Sequence, residues 1–246
     1  MAGLSPMMAQ YMETKKQYHD CILFYRLGDF YEMFFDDALT VSKELEITLT
    51  GKDCGLSERA PMCGVPFHAL DSYLYRLVQK GYKVAIAEQM EDPRQAKGLV
   101  KREVIRVVTP GTITSSQVLD ETKNNYLMGI VYMDGIYGIS TADISTGDFM
   151  VTEVDSDREL FDEINKFSPS EIICNNAFYM SGVDMDELKN RYQVVISALD
   201  SRFFGEESCR RILMEHFKVG ALVGLGLEDY ATGIIAAGAV MQYIYE

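Results

Sequence analysis

Phe30 and Glu32 stand two residues apart in the run Gly28-Asp29-Phe30-Tyr31-Glu32-Met33-Phe34-Phe35. Alternate residues of a β-strand project from the same face, so the phenyl ring and the carboxyl group are expected side by side. A bare ring can stack on a flat partner, and a carboxyl group can hydrogen-bond to its edge. A nucleic acid base offers both features. A charged residue on this face also indicates that the face is exposed.

Local patterns predict the elements that position this pair. Ser5-Pro6 is typical of a helix start and predicts a helix over residues 5–18. The apolar run 21–26, the turn Gly28-Asp29 and the run 30–35 predict two strands of a hairpin. The remaining expected elements of the first half are a helix capped by Asp36-Asp37 and ending near Leu45, a strand over 47–50, a surface loop over 51–60, a helix over 69–80, and strands over 82–90 and 103–108.

The second half has a different order of elements. Residues 126–133, 136–144 and 149–154 predict strands, and the short glycine-bearing joints between them favour an antiparallel meander. The expected elements after it are a helix over 156–167, a strand over 171–174, a second helix, a strand over 193–197 and an apolar helix over 229–246. This order is that of an RNase H-like fold. The last helix stops without a cap, so we expect the sequence to be a piece of a longer protein.

The predicted fold class is therefore mixed α/β. We expect a mixed-sheet α/β domain over residues 1–110, a linker over 111–121 and an RNase H-like α/β domain over 122–246.

The net charge of −14 is unevenly distributed. Residues 1–110 hold 14 Lys and Arg against 15 Asp and Glu, whereas residues 111–246 hold 9 against 22. Within the first half, the basic stretch 94–106 could meet phosphates, with a solvated surface as the alternative. The acidic half suits a protein partner with a basic patch, or it only maintains solubility.

Several function classes are disfavoured. The five cysteines form no Cys-x-x-Cys motif and the three histidines are scattered, so neither a zinc site nor a disulfide framework is expected. No apolar run approaches the ~20 residues of a membrane span. The first residues lack the features of a secretory signal, and a cytoplasmic location is expected.

Six segments carry a resemblance to the N-terminal part of the bacterial MutS family of DNA mismatch-recognition proteins. They are the run at Gly28, Leu4-Ser5-Pro6-Met7-Met8, Leu23-Phe24-Tyr25-Arg26, Met62-Cys63-Gly64-Val65-Pro66-Phe67-His68, Thr109-Pro110-Gly111-Thr112 and Asp143-Ile144-Ser145-Thr146-Gly147. The resemblance covers essentially the whole chain. It implies that the first domain binds mismatched duplex DNA and that the second is a connector domain.

The resemblance also implies residue roles. Phe30 would enter the minor groove at the mispair, and Glu32 would hydrogen-bond the mispaired base, which requires a protonated carboxyl group if the base atom is an acceptor. The supporting DNA contacts expected from sequence position are Lys52, Pro61, Met62, Lys97 and Arg102.

Further implications concern the longer protein. The family relays changes through the connector domain to an ATPase domain, which would hold ATP and Mg²⁺, and to a MutL-type partner. Its members are homodimers, whereas this piece could be monomeric. No Gly-x-x-x-x-Gly-Lys-Ser/Thr loop occurs here, so we expect no catalytic residue, cofactor or metal in these residues.

One enzymatic alternative stays open. Nucleases with an RNase H-like fold bind two metal ions through acidic side chains. Asp143 and Asp148 flank a turn of the predicted meander, so a metal-dependent nuclease is the alternative function. Acidic residues in such positions are also common turn formers.

Overall fold

The computed structural model describes residues 3–91, 98–114 and 124–246. The chain divides into two units, Met1–Thr109 and Pro110–Glu246. Within the described ranges, every helix is too short or too polar to span a lipid bilayer. Helices and mixed sheets make up both units, which confirms the predicted mixed α/β class.

The first unit is built on one sheet with the strand order β3-β4-β2-β1-β5-β6. Its helices are α1 (Pro6–Gln17), α2 (Phe35–Leu45) and α3 (Leu70–Gln79). Its strands are β1 (Ile22–Leu27), β2 (Phe30–Phe34), β3 (Thr50–Lys52), β4 (Ala60–Pro66), β5 (Val84–Gln89) and β6 (Arg102–Val108). Strands β1 and β5 are parallel and the other pairs antiparallel, so the sheet is mixed as predicted.

Helices cover both faces of this sheet. Met8 and Tyr11 of α1 pack on one face against Tyr25 and Phe34. On the other face, α2 and α3 pack against each other and against β4 and β5. The core of the unit therefore lies on both sides of the hairpin that carries Phe30.

Two predictions for the first unit were wrong, and one strand was not predicted. The strand expected over 47–50 begins only at Thr50 and runs to Lys52. Strand β4, for which no element was expected, pairs with β2. Helix α2 begins at Phe35 without a side-chain cap. The Asp37 carboxylate instead accepts hydrogen bonds from the Leu23 backbone at 3.0 Å and Tyr11 at 3.2 Å, and it pairs with Lys15 at 2.9 Å.

The second unit has the strand order β11-β10-β7-β8-β9. Its strands are β7 (Leu127–Met133), β8 (Ile136–Asp143), β9 (Asp148–Val154), β10 (Glu171–Cys174) and β11 (Val195–Ala198). Its helices are α4 (Asp157–Phe167), α5 (Asn176–Tyr179), α6 (Met185–Tyr192), α7 (Glu206–Phe217) and α8 (Ala231–Tyr245). Strands β7 to β9 form the antiparallel meander, and β10 and β11 extend it in parallel, as the RNase H-like prediction requires.

Glycine residues let α8 lie directly on the second sheet. A Cβ atom on Gly138 would come within 2.4 Å of the Thr232 backbone, and one on Gly129 within 2.5 Å of the Val240 side chain. The apolar helix predicted at the end of the sequence is therefore a buried layer of this unit, with α7 packed beside it.

Candidate nucleic-acid interface

The hairpin of β1 and β2 positions Phe30 and Glu32. Leu27 pairs with Phe30 across a turn in which Gly28 has a φ angle of 60°, a left-handed conformation that glycine adopts without steric strain. Phe30 and Glu32 share one face of β2, and the buried Tyr31 lies on the other. Phe30 exposes 46% of its surface. The shared face and the exposed ring are as predicted, but the expectation that the whole face is exposed was wrong, because Phe34 on the same face is buried against α1.

Strand β4 forms the next part of this surface. Pro66 is opposite Phe30 and Gly64 is opposite Glu32 in the antiparallel register. A Cβ atom on Gly64 would lie 3.5 Å from Cγ of Glu32 and 3.3 Å from the Tyr31 carbonyl oxygen. The absence of a side chain at Gly64 therefore leaves the glutamate room. Sequence reasoning missed both β4 residues as part of the site, although the segment that contains them carried the resemblance.

Pro61 and Met62 lie on β4, away from the end of that strand that pairs with Phe30. Met62 pairs with Phe34, four residues along β2 from Phe30, which corresponds to roughly 13 Å at the usual rise of a strand. Pro61 is on the opposite sheet face from Met62 because side chains alternate. Both are half-buried. Neither residue is paired with Phe30, and their expected contact with DNA stays a prediction.

Lys52 reaches Glu32 from β3. Its Nζ atom lies 2.5 Å from Oε2 of Glu32, and the two side chains are 32% and 16% exposed. The ammonium group is also 5.7 Å from the centre of the Phe34 ring. The carboxyl group next to Phe30 is thus paired with a cation that water can still reach. The structure brings these two predicted residues together, which their separation in sequence did not indicate.

Arg102 is buried, with 8% of its surface exposed. Its guanidinium group donates to the carbonyl oxygens of Arg26 at 2.6 Å and Val100 at 2.9 Å, and to the side-chain oxygen of Gln10 at 3.2 Å. These bonds tie β6 to β1 and α1. The structure therefore gives Arg102 an internal role rather than the exposed phosphate contact that we expected.

The other basic residues of the stretch 94–106 do not share one environment. Lys97 lies outside the described residues. Lys101 forms an ion pair with Glu103, and Arg106 is exposed on β6. Among the described residues of the stretch, Arg106 is therefore the arginine that solvent reaches.

Comparison with known families follows the two structural units. The family description MutS domain I matches residues 5–117, and MutS domain II matches residues 125–246. The matches occur in the order of the two units and together account for nearly all of the chain. The chain belongs to the MutS family. Phe30, Glu32 and Lys52 all lie in its MutS domain I.

Individual MutS proteins give the same result. The chain is 62% identical over 245 residues to the DNA mismatch repair protein MutS of Lachnoclostridium phytofermentans, covering 100% of this chain and 26% of the relative. It is 55% identical over 247 residues to the MutS protein of Acetivibrio thermocellus, covering 99% of this chain and 28% of the relative. The chain thus spans about a quarter of the length of these relatives.

In MutS domain II, Asp143 and Asp148 lie at the two ends of the turn between β8 and β9. Asp143 is buried and accepts hydrogen bonds from Ser145 at 2.8 Å and 2.6 Å, from the Asn125 backbone at 3.0 Å and from the Asn124 side chain at 2.9 Å. Burial raises the pKa of Asp143, but the bonds from Ser145, Asn125 and Asn124 outweigh it and hold the pKa below its ordinary value. Asp148 is exposed.

This geometry gives the nuclease alternative no support. Both carboxylate oxygens of Asp143 are occupied, one by donors from its own turn and the other by Asn124 and Asn125, which come just before β7. In the part of the chain that the structure describes, no cluster of three or more His, Cys, Asp or Glu residues could hold a metal ion. Asp143 is best explained as a turn residue.

Proposed function

We propose that this chain recognises mispaired or unpaired bases in duplex DNA by inserting Phe30 into the minor groove. The observation that carries the proposal is the half-exposed ring at the first residue of β2, with a carboxyl group on the same face. Inserted apolar side chains partly unstack a base step and kink the duplex. The proposal is supported by membership of a family whose named relatives are mismatch repair proteins.

Discrimination would come from the cost of deforming the DNA. Bending a site of this size costs on the order of 1–6 kcal/mol for matched duplex. A mispair has already lost stacking and pairing, so the same kink costs less there. One phenylalanine can therefore serve many mismatches, because it reads the ease of deformation and not the identity of a base.

Glu32 would then bond to the displaced base. We propose that Lys52 leaves Glu32 for a DNA phosphate when the duplex arrives, since both groups are reachable by water and a phosphate offers the ammonium group an equivalent partner. The released carboxyl group must carry a proton to donate to an acceptor on the base. Glu32→Gln keeps a donor there. Affinities that are constant between about pH 6 and about pH 9 in wild type and variant alike would refute this step.

The other contacts are assigned by their place in the fold. Pro66 and Gly64 would form the wall beside the inserted ring, because they are opposite Phe30 and Glu32 in register. Met62 would contact the duplex farther along the strand. Arg102 would act by holding β6 in place.

For the longer protein, we propose the division of labour that the family implies. MutS domain II would relay the DNA-bound state to an ATPase domain and to a MutL-type partner, and its excess of acidic residues would keep it off the duplex. ATP and Mg²⁺ would be bound in that ATPase domain, and the residues described here would act without a cofactor. Dimerisation would place one Phe30 at the mispair.

The deciding experiment is fluorescence anisotropy at low salt with matched and single-mismatch duplexes. Wild type is expected to prefer the mismatch, and Phe30→Ala is expected to lose that preference. Phe217→Ala is the control, because it removes a phenylalanine that is 36% exposed in the other unit. A preference that survives in Phe30→Ala would remove the inserted-ring assignment. Equal binding of both duplexes by wild type would refute mismatch recognition by this chain.

A further inference from the structure

The direction of the Phe30 ring depends on a short turn. Phe30 is the first residue of β2, directly after Gly28-Asp29, and nearly half of its surface contacts no protein atom. Packing around the ring therefore does little to fix it. Side chains at the ends of hairpins are mobile unless their turn is held by further contacts. An inserted side chain must meet the groove in one orientation, so the proposed function needs a rigid turn.

Arg26 supplies such contacts. Its Nε atom donates to the carbonyl oxygen of Gly28. Its guanidinium carbon lies 4.1 Å from the centre of the Phe67 ring and 5.5 Å from that of Tyr31. Its Nη1 atom is 3.5 Å from Oε1 of Glu88 on β5, and the Arg26 side chain is only 17% exposed. The guanidinium group is thus held on three sides while it bonds to the turn.

Phe67 holds the same turn from the other direction. Its backbone N–H donates to the carbonyl oxygen of Asp29 at 2.9 Å, while its ring covers the Arg26 guanidinium group. Both carbonyl groups of the Gly28-Asp29 turn are therefore bonded, one to a side chain of β1 and one to the residue after β4. Phe67 is itself 43% exposed, and this contact explains why an aromatic residue occupies the position.

We propose that Arg26, together with Phe67, is a positioning residue that holds the Phe30 turn in the orientation needed for insertion. This inference rests on the proposed function. Only a guanidinium group can bond through Nε, stack on a ring and pair with a carboxylate at once, so lysine is not an equivalent replacement. Arg26 acts through the turn and makes no contact with DNA.

The test uses the absence of tryptophan from the sequence. Phe30→Trp introduces a single tryptophan, which can be excited apart from the 15 tyrosines, and its time-resolved anisotropy reports the motion of that side chain without DNA. Adding Arg26→Lys or Phe67→Leu is expected to raise the amplitude of nanosecond motion about twofold, because each removes part of the support of the turn. Arg202→Met is the matched control, since Arg202 also stacks on a ring and pairs with a carboxylate, in the other unit.

A second measurement links the turn to recognition. With Phe30 in place, Arg26→Lys is expected to lower the mismatch-to-match affinity ratio about two- to tenfold, the range for one side chain that loses its preorganisation. In Arg26→Met, which also removes the charge, the dependence of affinity on salt should stay the same. Combined with Phe30→Ala, Arg26→Lys should lower the ratio no further, because the two residues act on one step.

Two results would overturn the inference. Unchanged motion of the tryptophan in Arg26→Lys and Phe67→Leu would show that the turn does not need them. A salt slope reduced by about 0.9 in Arg26→Met, which removes the charge that Arg26→Lys keeps, would make Arg26 a phosphate contact instead. Failure of the proposed function is a separate result, seen as an unchanged ratio in Phe30→Ala, and the anisotropy decays remain decisive in that case.

Discussion

Replacing Lys52 by methionine tests two proposed roles of its ammonium group: the ion pair with Glu32 in the protein alone and a phosphate contact in the DNA complex. In the protein alone, Lys52 pairs with Glu32 at 2.5 Å while the two side chains remain 32% and 16% exposed. Water screens a pair of this accessibility, so its loss should lower the free energy of unfolding by about 1 kcal/mol or less. The fold of the first unit should therefore survive the substitution.

The effect on DNA binding is larger and has a distinct form. One phosphate contact contributes a slope of about 0.9 to the fall of log affinity with log salt concentration. Between about 50 mM and about 200 mM salt, wild type should then lose about 3.5-fold more affinity than Lys52→Met. Matched and mismatched duplexes should show the same difference, because a phosphate contact carries no sequence information.

Fluorescence anisotropy titrations over that salt range measure the difference in salt slope between wild type and Lys52→Met. Lys80→Met is the matched control, since Lys80 pairs with Glu44 at 2.7 Å elsewhere in the same unit. Equal slopes for wild type and Lys52→Met would show that Lys52 neutralises no phosphate. An equal decrease in Lys80→Met would assign the effect to net charge and refute the partner exchange.

Three further predictions concern stability. In Gly238→Ala the new Cβ atom would lie 2.2 Å from Cβ of Cys209, so α7 and α8 must separate. Urea unfolding should show that the free energy of unfolding falls by about 1–3 kcal/mol. Asp37→Asn removes the buried carboxylate that pairs with Lys15. In the same measurement it should lower the free energy of unfolding by about 3 kcal/mol. The pKa of Asp143 is lowered in the folded protein. Its carboxylate therefore stabilises the fold at pH values above the ordinary pKa of about 4. This contribution is lost as the pH falls through the pKa of the folded state. The stability difference between wild type and Asp143→Asn should therefore shrink on acidification from about pH 5 to about pH 2.

Each stability prediction has its own contrary result. An unchanged unfolding midpoint in Gly238→Ala would mean that α7 and α8 separate without cost. A loss well below 1 kcal/mol in Asp37→Asn would mean that water replaces the carboxylate at Lys15. A stability difference that stays constant with pH would show that the Asp143 carboxylate is not favoured by folding.

The sequence by itself determined the elements whose signals are local. The hairpin at Gly28-Asp29, the helix after Ser5 and the three-stranded meander follow from turn chemistry, capping and alternation within short windows, and the structure contains all of them. The exposure of Phe30 was expected from the charged residue two positions away, but the Glu32 side chain is only 16% exposed and Phe34 on the same face is buried. The ring is exposed because Phe30 is the first residue of β2, beside the turn. The buried terminal helix was evident from its composition.

Elements with weak or conflicting local signals were missed. Strand β4 contains Pro61, Gly64 and Pro66, residue types that local rules assign to turns. It forms because β2 supplies a complete partner for it. Helix α7 begins after Gly205 without a side-chain cap and so lacks the usual start signal; packing against α8 stabilises it instead.

Only the tertiary structure decided which residues meet. The pair of Lys52 with Glu32, the position of Pro66 beside Phe30 and the burial of Arg102 all depend on strand register and on contacts between residues far apart in sequence. A shift of one residue in the pairing of β2 with β4 would turn every β4 side chain to the other face. The sequence therefore identified the chemistry of the site, and the packing of the sheet determined its partners.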